Sequence, residues 1–331
     1  MPAVKAFSKT QKSGPFTLDT VRPDYPYFST LLALAVSKIA ELPDFSEDTK
    51  LGVFSDFGGE HAEAEFATYS VLIMSLSKVG PFQTAIEALR RKYSMLDPYS
   101  EFAYKKLSKG ARPRALGEFL HIVDNFIHGA LITVAIDKQL KTVFGDSKNR
   151  AYTGMTEQLA SMGLGKWKGD VAEKAGRVCH TIGAFLSLTM YPNQRVIWYC
   201  DNDSINQDSG GRTFENTREI FARVLGAYTQ SYIDVLGFAK SFADKSHYDD
   251  LLSVPDFAAG VVQDLLRSHK TGVDQVSGGE EKAAVMRWIA NRSKFLSKVT
   301  IQLVPLPDGQ VGVGNVDFSP VAPETGGAAP A

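Results

Sequence analysis

The stretch that most constrains this chain is residues 51–75, LGVFSDFGGEHAEAEFATYSVLIMS. Leu51, Val53 and Phe54 form an apolar run that ends at Asp56; Gly58 and Gly59 supply a turn, and a second apolar run returns from Phe66 to Met74. Two such runs around a glycine turn predict a pair of antiparallel strands. Desolvating a bare carboxylate costs on the order of several kcal/mol. A strand this apolar therefore carries Asp56 only if the charge is paired or holds a metal.

With 331 residues, the chain is long enough for one large α/β domain or two small ones, and for a sizeable core. Hydrophobic content of 44% and charged content of 22% are those of an ordinary soluble globular protein. A net charge of −1 and a pI near 6.6 exclude attachment to nucleic acid by overall charge, so any such contact needs a local basic patch. Cys179 and Cys200 form no CxxC and no zinc spacing, which argues against a disulfide framework or a structural zinc. The apolar segment 27–42 carries Lys38 and Glu41, and its uninterrupted run of roughly 9 residues falls short of the about 20 that a membrane span needs. It is expected to be a packed amphipathic helix, and the protein to be cytoplasmic. The chain has no P-loop, GxGxxG or GxSxG, which lowers the nucleotide-kinase, dehydrogenase and serine-hydrolase readings.

The first 25 residues are polar, with Pro2, Pro15 and Pro23, and are expected to form an extended or poorly ordered arm. A helix is expected over 29–41. Pro81 opens another, with Phe82, Ile86, Leu89, Tyr93 and Leu96 at helical spacing. A helix over 113–127 stops at Gly129, ahead of the strand ALITVAIDK. A helical region spans 151–192; RVIWYCDND then reads as a buried strand ending in acid. Thr213 caps a helix over 214–228, and YIDVLGFAK follows as a strand. Ser253 reads as the N-cap of the next helix, with Pro255 in its first turn and Asp256 at the third position. A last helix over 280–298 leads into a hairpin turning at Asp308-Gly309. This order predicts an α/β layered domain with a mixed sheet, antiparallel near its start and parallel afterwards. The expected organisation is an arm over 1–25, an α/β domain over 26–275 with a helical insertion around 151–192, a helix and hairpin over 276–318, and a disordered, low-complexity tail over 319–331.

Three acids end apolar runs or open helices where strand ends converge: Asp56, Asp201 and Asp256. A fourth, Glu101, precedes the basic run Lys105, Lys106, Lys109, Arg112 and Arg114, with Glu60 or Glu118 as its possible substitutes. Several carboxylates around one point repel one another unless a divalent cation neutralises them, which makes Mg2+ or Mn2+ the expected occupant. Two such ions about 3.5–4 Å apart activate a water and stabilise the leaving oxygen in phosphodiester cleavage. The basic run is suited to following a phosphate backbone, though a solvated loop explains it equally well. Asp201 and Asp203 also form a DxD, the pattern by which many glycosyltransferases hold a metal-bound nucleotide sugar. Asp256 is also explained as an ordinary acid at a helix start. Glu118, His121, Asp124 and His128 share a helical face, but the chain has no second ExxH to complete a di-iron site, so they read as a polar face. Trp167, between Lys166 and Lys168, is suited to stacking on a base.

The order of these motifs resembles the ribonuclease-H-like superfamily, and within it is similar to a large, mostly uncharacterised prokaryotic domain family of predicted nucleases. The resemblance covers roughly 50–270. It implies a ribonuclease-H-like mixed sheet flanked by helices, and a metal-dependent nuclease acting on DNA or RNA. On that resemblance Asp56 in SDFGG is the first-strand aspartate, Glu101 in EFAY the second acid, Asp201 in WYCDND the third and Asp256 in VPDFAAG the fourth. Phe57 stands where the family has a second acid, and Ala103 where it often has His or Lys. These departures leave open a member that keeps the fold without the chemistry and binds a protein or nucleic-acid partner.

Overall fold

The computed structural model describes residues 10–19, 21, 26–241, 245–273 and 279–319. Strand β1 (Gln11–Ser13) pairs antiparallel with β2 (Glu41–Pro43), so part of the expected arm is a paired strand. Residues 1–9 of that arm, and 320–331 of the tail expected to be disordered, lie outside the described residues. Between β1 and β2, helix α1 (Tyr27–Val36) buries Phe28, Leu31, Leu32 and Ala35. It ends earlier than its apolar pattern suggested, because the chain turns into β2 at Glu41.

The main sheet grows from the hairpin of β3 (Lys50–Gly58) and β4 (Phe66–Ser75). Helices α2 (Gly80–Lys92) and α3 (Arg112–Phe126) lead to β5 (Gly129–Asp137), which is antiparallel to β4. The helical region resolves into α4 (Lys148–Ser161) and α5 (Gly169–Thr189). The chain then crosses to the other side of β3, where β6 (Arg195–Cys200) runs parallel to it. Helix α6 (Phe214–Tyr228) connects to β7 (Val235–Lys240), parallel to β6. After α7 (His247–Thr271) and α8 (Gly279–Ala290), β8 (Leu296–Pro305) joins β5 in parallel, and β9 (Val311–Asn315) closes the edge in antiparallel. The order is β7-β6-β3-β4-β5-β8-β9. The helix expected over 280–298 stops at Ala290, since Leu296 already belongs to β8.

Successive side chains of a strand point to opposite faces, and both faces here are covered. Leu51 and Val53 of β3 face one core with α1, α5 and α6; Phe54 faces a second core with α2, α3, α7 and α8. Helix α7 lies across β3 and β4. Among the described residues no helix is long and apolar enough to cross a membrane.

One buried polar cluster in the first core makes folding pH-sensitive. The ring of His180 lies 3.2 Å from Ser29 Oγ and 2.9 Å from the Tyr228 hydroxyl through Nδ1, and burial lowers its pKa to about 4. The folded state thus holds the neutral ring while the unfolded chain takes a proton near pH 6.5. Stability from this group is complete above that value and is lost as pH falls from about 6.5 towards 4, by roughly 3 kcal/mol at most. Denaturant unfolding at pH 7.5 and 5.0 checks it: the His180→Gln variant should lose less stability over that interval than the wild type.

Candidate functional site

In the parallel pairing of β3 with β6, Ser55 stands opposite Cys200, so Asp56 and Asp201 are the next neighbours beyond that pair. Phe54 and Tyr199, two residues before each acid, both face the second core, and the period of two puts both acids on that face. The apolar runs hold the strands in place; Asp56 lies two residues before the end of β3 and Asp201 directly after β6. Asp256 comes from α7, which covers this face. The helix begins six residues before Ser253, with Ser246 as its cap and Pro255 inside it, so Asp256 sits in the third turn and is not a helix-start acid. Glu101 comes from the loop between α2 and α3, just before a single 3-10 turn at Tyr104–Lys106.

These four carboxylates line one cavity of about 10 Å³, and Asp249 and Lys245 complete its charged lining. That volume admits about one water-sized body. Asp56 Oδ1 accepts the Phe57 amide at 2.6 Å, Asp201 Oδ1 the Asn202 amide at 2.7 Å, and Asp256 Oδ2 the Tyr104 amide at 2.6 Å. The second oxygen of each takes no hydrogen bond among the described residues. Burial raises the pKa of Asp56 well above the ordinary carboxylate range, and the charges of Asp256 and Asp201 raise it further. Burial is also the main cause of the raised pKa of Asp256, with Glu101 and Asp201 adding to it and the Tyr104 amide and Lys105 opposing it. Asp201 is raised for the same first reason, and there Lys245 opposes the shift. The acids thus act on one another across a part-buried space, where their like charges oppose one another's ionisation.

The fit to a divalent ion has two sides. Three carboxylates with one uncommitted oxygen apiece, around a space of ionic size, are a hard-oxygen donor set of the kind Mg2+ and Mn2+ prefer. Yet among the described residues no three His, Cys, Asp or Glu side chains stand as a group that could hold a metal ion, so what supports a fit is the donor chemistry of the shared lining alone.

The basic run borders this cavity. Lys106 pairs with Glu101 at 3.6 Å, and Arg112 donates to the backbone carbonyls of Glu101 and, at 3.1 Å, Lys109. Lys105, Lys109 and Arg114 are exposed. Phe57 points to the opposite face, 5.9 Å from the Tyr69 ring with the Lys174 ammonium 4.7 Å away, so an acid at that position would not line the cavity. Asp203 is committed elsewhere: it pairs with Lys174 at 2.5 Å and caps a 3-10 turn through Ile205 N at 3.0 Å. Both carboxylates of the DxD therefore do not address one ion. Trp167 is buried and stacked under Arg212, its indole N–H on Leu164 O at 2.8 Å, and so offers no face to a base. Glu118 pairs with Lys92 at 2.6 Å, and Glu60 with Lys174; neither lines the cavity.

The strap that carries Glu101 crosses α7 at Gly260. A β-carbon there would lie 2.2 Å from Tyr104 Cδ1, and the Tyr104 hydroxyl donates to Asp264 at 2.8 Å. Gly260→Ala is expected to push the strap away, break the Tyr104–Asp256 bond and cost about 1–3 kcal/mol. Thermal melting checks this; an unchanged midpoint would mean that Tyr104 yields freely.

Sequence reasoning missed Ser241, Lys245 and Asp249, which share the cavity lining. Nothing in the local pattern distinguishes them, since the helix start was placed at Ser253.

An antiparallel meander of three strands, extended by two parallel strands beside its first and covered by helices on both faces, makes this a mixed α/β fold. No family model and no curated protein matches the chain. Among solved structures it is similar to the ribonuclease H2 from Pyrococcus horikoshii OT3, at 12% identity over 72% of this chain and 85% of that one, with a TM-score of 0.33. It is also similar to the structure of the PCNA:RNase HII complex from Archaeoglobus fulgidus, at 14% identity over 73% and 89%, with a TM-score of 0.30. These likenesses are remote, and the fold class stands on the strand order.

Proposed function

We propose that this chain is a metal-dependent nuclease that hydrolyses phosphodiester bonds in DNA or RNA. One observation carries the reading: Asp56 and Asp201, the residues just beyond the last paired positions of adjacent parallel strands, share a cavity with Asp256 and Glu101. Asp56, Asp201 and Asp256 would hold Mg2+ or Mn2+, with Glu101 beside them. Bound there, the ion supplies Lewis-acid stabilisation of charge on the phosphate and lowers the pKa of a water. The chain's own part is to fix the carboxylates by backbone amides. Lys105, Lys106, Lys109, Arg112 and Arg114 would hold the flanking phosphates as positioning contacts without base readout.

The test is incubation of labelled single-stranded and duplex DNA and RNA with Mg2+ or Mn2+, wild type against Asp56→Asn. Metal-dependent cleavage by the wild type alone is expected. Equal cleavage by both removes the assignment, and no cleavage by either favours a non-catalytic protein of the same fold that binds a partner.

A further inference from the structure

We propose that Lys245 is a substrate-contacting residue of this cavity, donating to a phosphate oxygen held beside Asp201; the inference rests on the nuclease reading. Lys245 is the cation among the residues lining a space otherwise charged by Asp56, Glu101, Asp201, Asp249 and Asp256. Its ammonium sits 3.1 Å from Asp249 Oδ1 and also donates to Ser241 Oγ. An ammonium has three donors, so one remains. The side chain is 28% exposed, which leaves that donor within reach of a ligand.

Neutralising Asp249 does not explain the arrangement. Asp249 is buried and already accepts Ser241 Oγ at 2.6 Å and the Ser246 amide at 2.8 Å, where it completes the capping box of α7. An ion pair with a part-exposed lysine adds little to a carboxylate so well supplied, about 1 kcal/mol or less. In the other direction the contact does more. Asp249 and Ser241 take two of the three donors and restrict a flexible four-carbon side chain to one side of the cavity. A cation held on one side of an acidic cavity offers its free donor to an anionic oxygen that enters beside the carboxylates. For a phosphodiester that is a non-bridging oxygen, whose charge a point-like ammonium meets without geometric demand.

The experiment uses the full chain, Lys245→Met and Lys245→Arg, with two readouts. The first is kcat on the cleaved oligonucleotide. The second is the affinity of a labelled oligonucleotide in the Asp56→Asn background as a function of salt. Loss of the contact is expected to lower kcat by about 100-fold, with substantial rescue in Lys245→Arg, and Mn2+ affinity unchanged or tighter. It should also reduce the slope of log affinity against log salt by about 0.7–0.9, the signature of one lost phosphate contact. A structural role alone would lower the melting point and leave the salt slope intact. If the wild type cleaves and Lys245→Met matches it within twofold in both readouts, the inference is overturned while the nuclease reading stands. If the wild type binds the oligonucleotide without cleaving it, the nuclease reading fails and the salt slope still decides Lys245. Neither binding nor cleavage overturns both.

Discussion

In EDTA, Asp56→Asn is expected to melt several degrees above the wild type, although it cleaves at least about 100-fold more slowly with Mg2+ present. Asp56 lies near the end of a buried strand and shares a cavity with Asp201 and Asp256, and burial with both neighbouring charges raises its pKa well above that of a free carboxyl. A raised folded-state pKa means that the ionised form is resisted by the fold. The penalty is fully present above the folded pKa and is relieved as pH falls through it, down to the ordinary carboxylate range near 4. The melting difference between the two proteins should therefore be widest at pH 8 and shrink towards pH 5. Adding Mn2+ should raise the wild type and leave Asp56→Asn nearly unmoved, since a ligand that binds only the folded state stabilises it by mass action. A residue whose removal stabilises the protein and abolishes activity is present for function. Differential scanning at three pH values checks the whole pattern, and an Asp56→Asn protein less stable than wild type at pH 8 would contradict it.

Arg90→Met is expected to cost about 3–5 kcal/mol of stability, because it strands a buried carboxylate. Arg90 and Asp250 are 2% and 1% exposed, and Nε lies 3.0 Å from both carboxylate oxygens. The guanidinium also donates to Met95 O at 2.9 Å and Ser100 O at 3.1 Å, and stands 3.7 Å from the Tyr99 ring centre. Burial pushes the Asp250 carboxyl up to about 6 in spite of that partner, so without it the charge is stranded. The same arginine ties the loop ahead of Glu101 to the helix that carries Asp256, so its loss should also loosen the acidic cavity. Denaturant unfolding checks the cost, and the double variant Arg90→Met, Asp250→Leu should recover most of it, because two apolar side chains strand no charge. A single variant within about 0.5 kcal/mol of wild type would mean that water reaches Asp250 freely.

Much of this was legible in the sequence where the pattern was local. The hairpin around Gly58 and Gly59, the strand ending at Asp201 and the turn at Asp308-Gly309 follow from apolar runs and turn chemistry alone. That Asp56 needs company follows from the cost of burying it. What it would sit beside does not, since register between β3 and β6 is set by the side chains of two complete faces. The start of α7 was misplaced because Ser253-Val-Pro-Asp imitates a helix start so well, while the actual cap, Ser246, lies before a Pro-interrupted helix whose first turns are buried. That error hid Lys245 and Asp249, and it gave Asp256 a bland explanation that its third-turn position removes. Trp167 flanked by lysines suggested an aromatic surface; Arg212, far away in sequence, covers it.

A metal-dependent nuclease of this kind requires that Asp56, Asp201 and Asp256 together take up a divalent cation. Calorimetric titration of Mn2+ into the wild type and into Asp56→Asn, Asp201→Asn and Asp256→Asn tests this without any substrate. Saturable binding by the wild type, weakened at least about tenfold in each variant, is the predicted result. Affinity unchanged across all three variants, or no binding by the wild type, would contradict it.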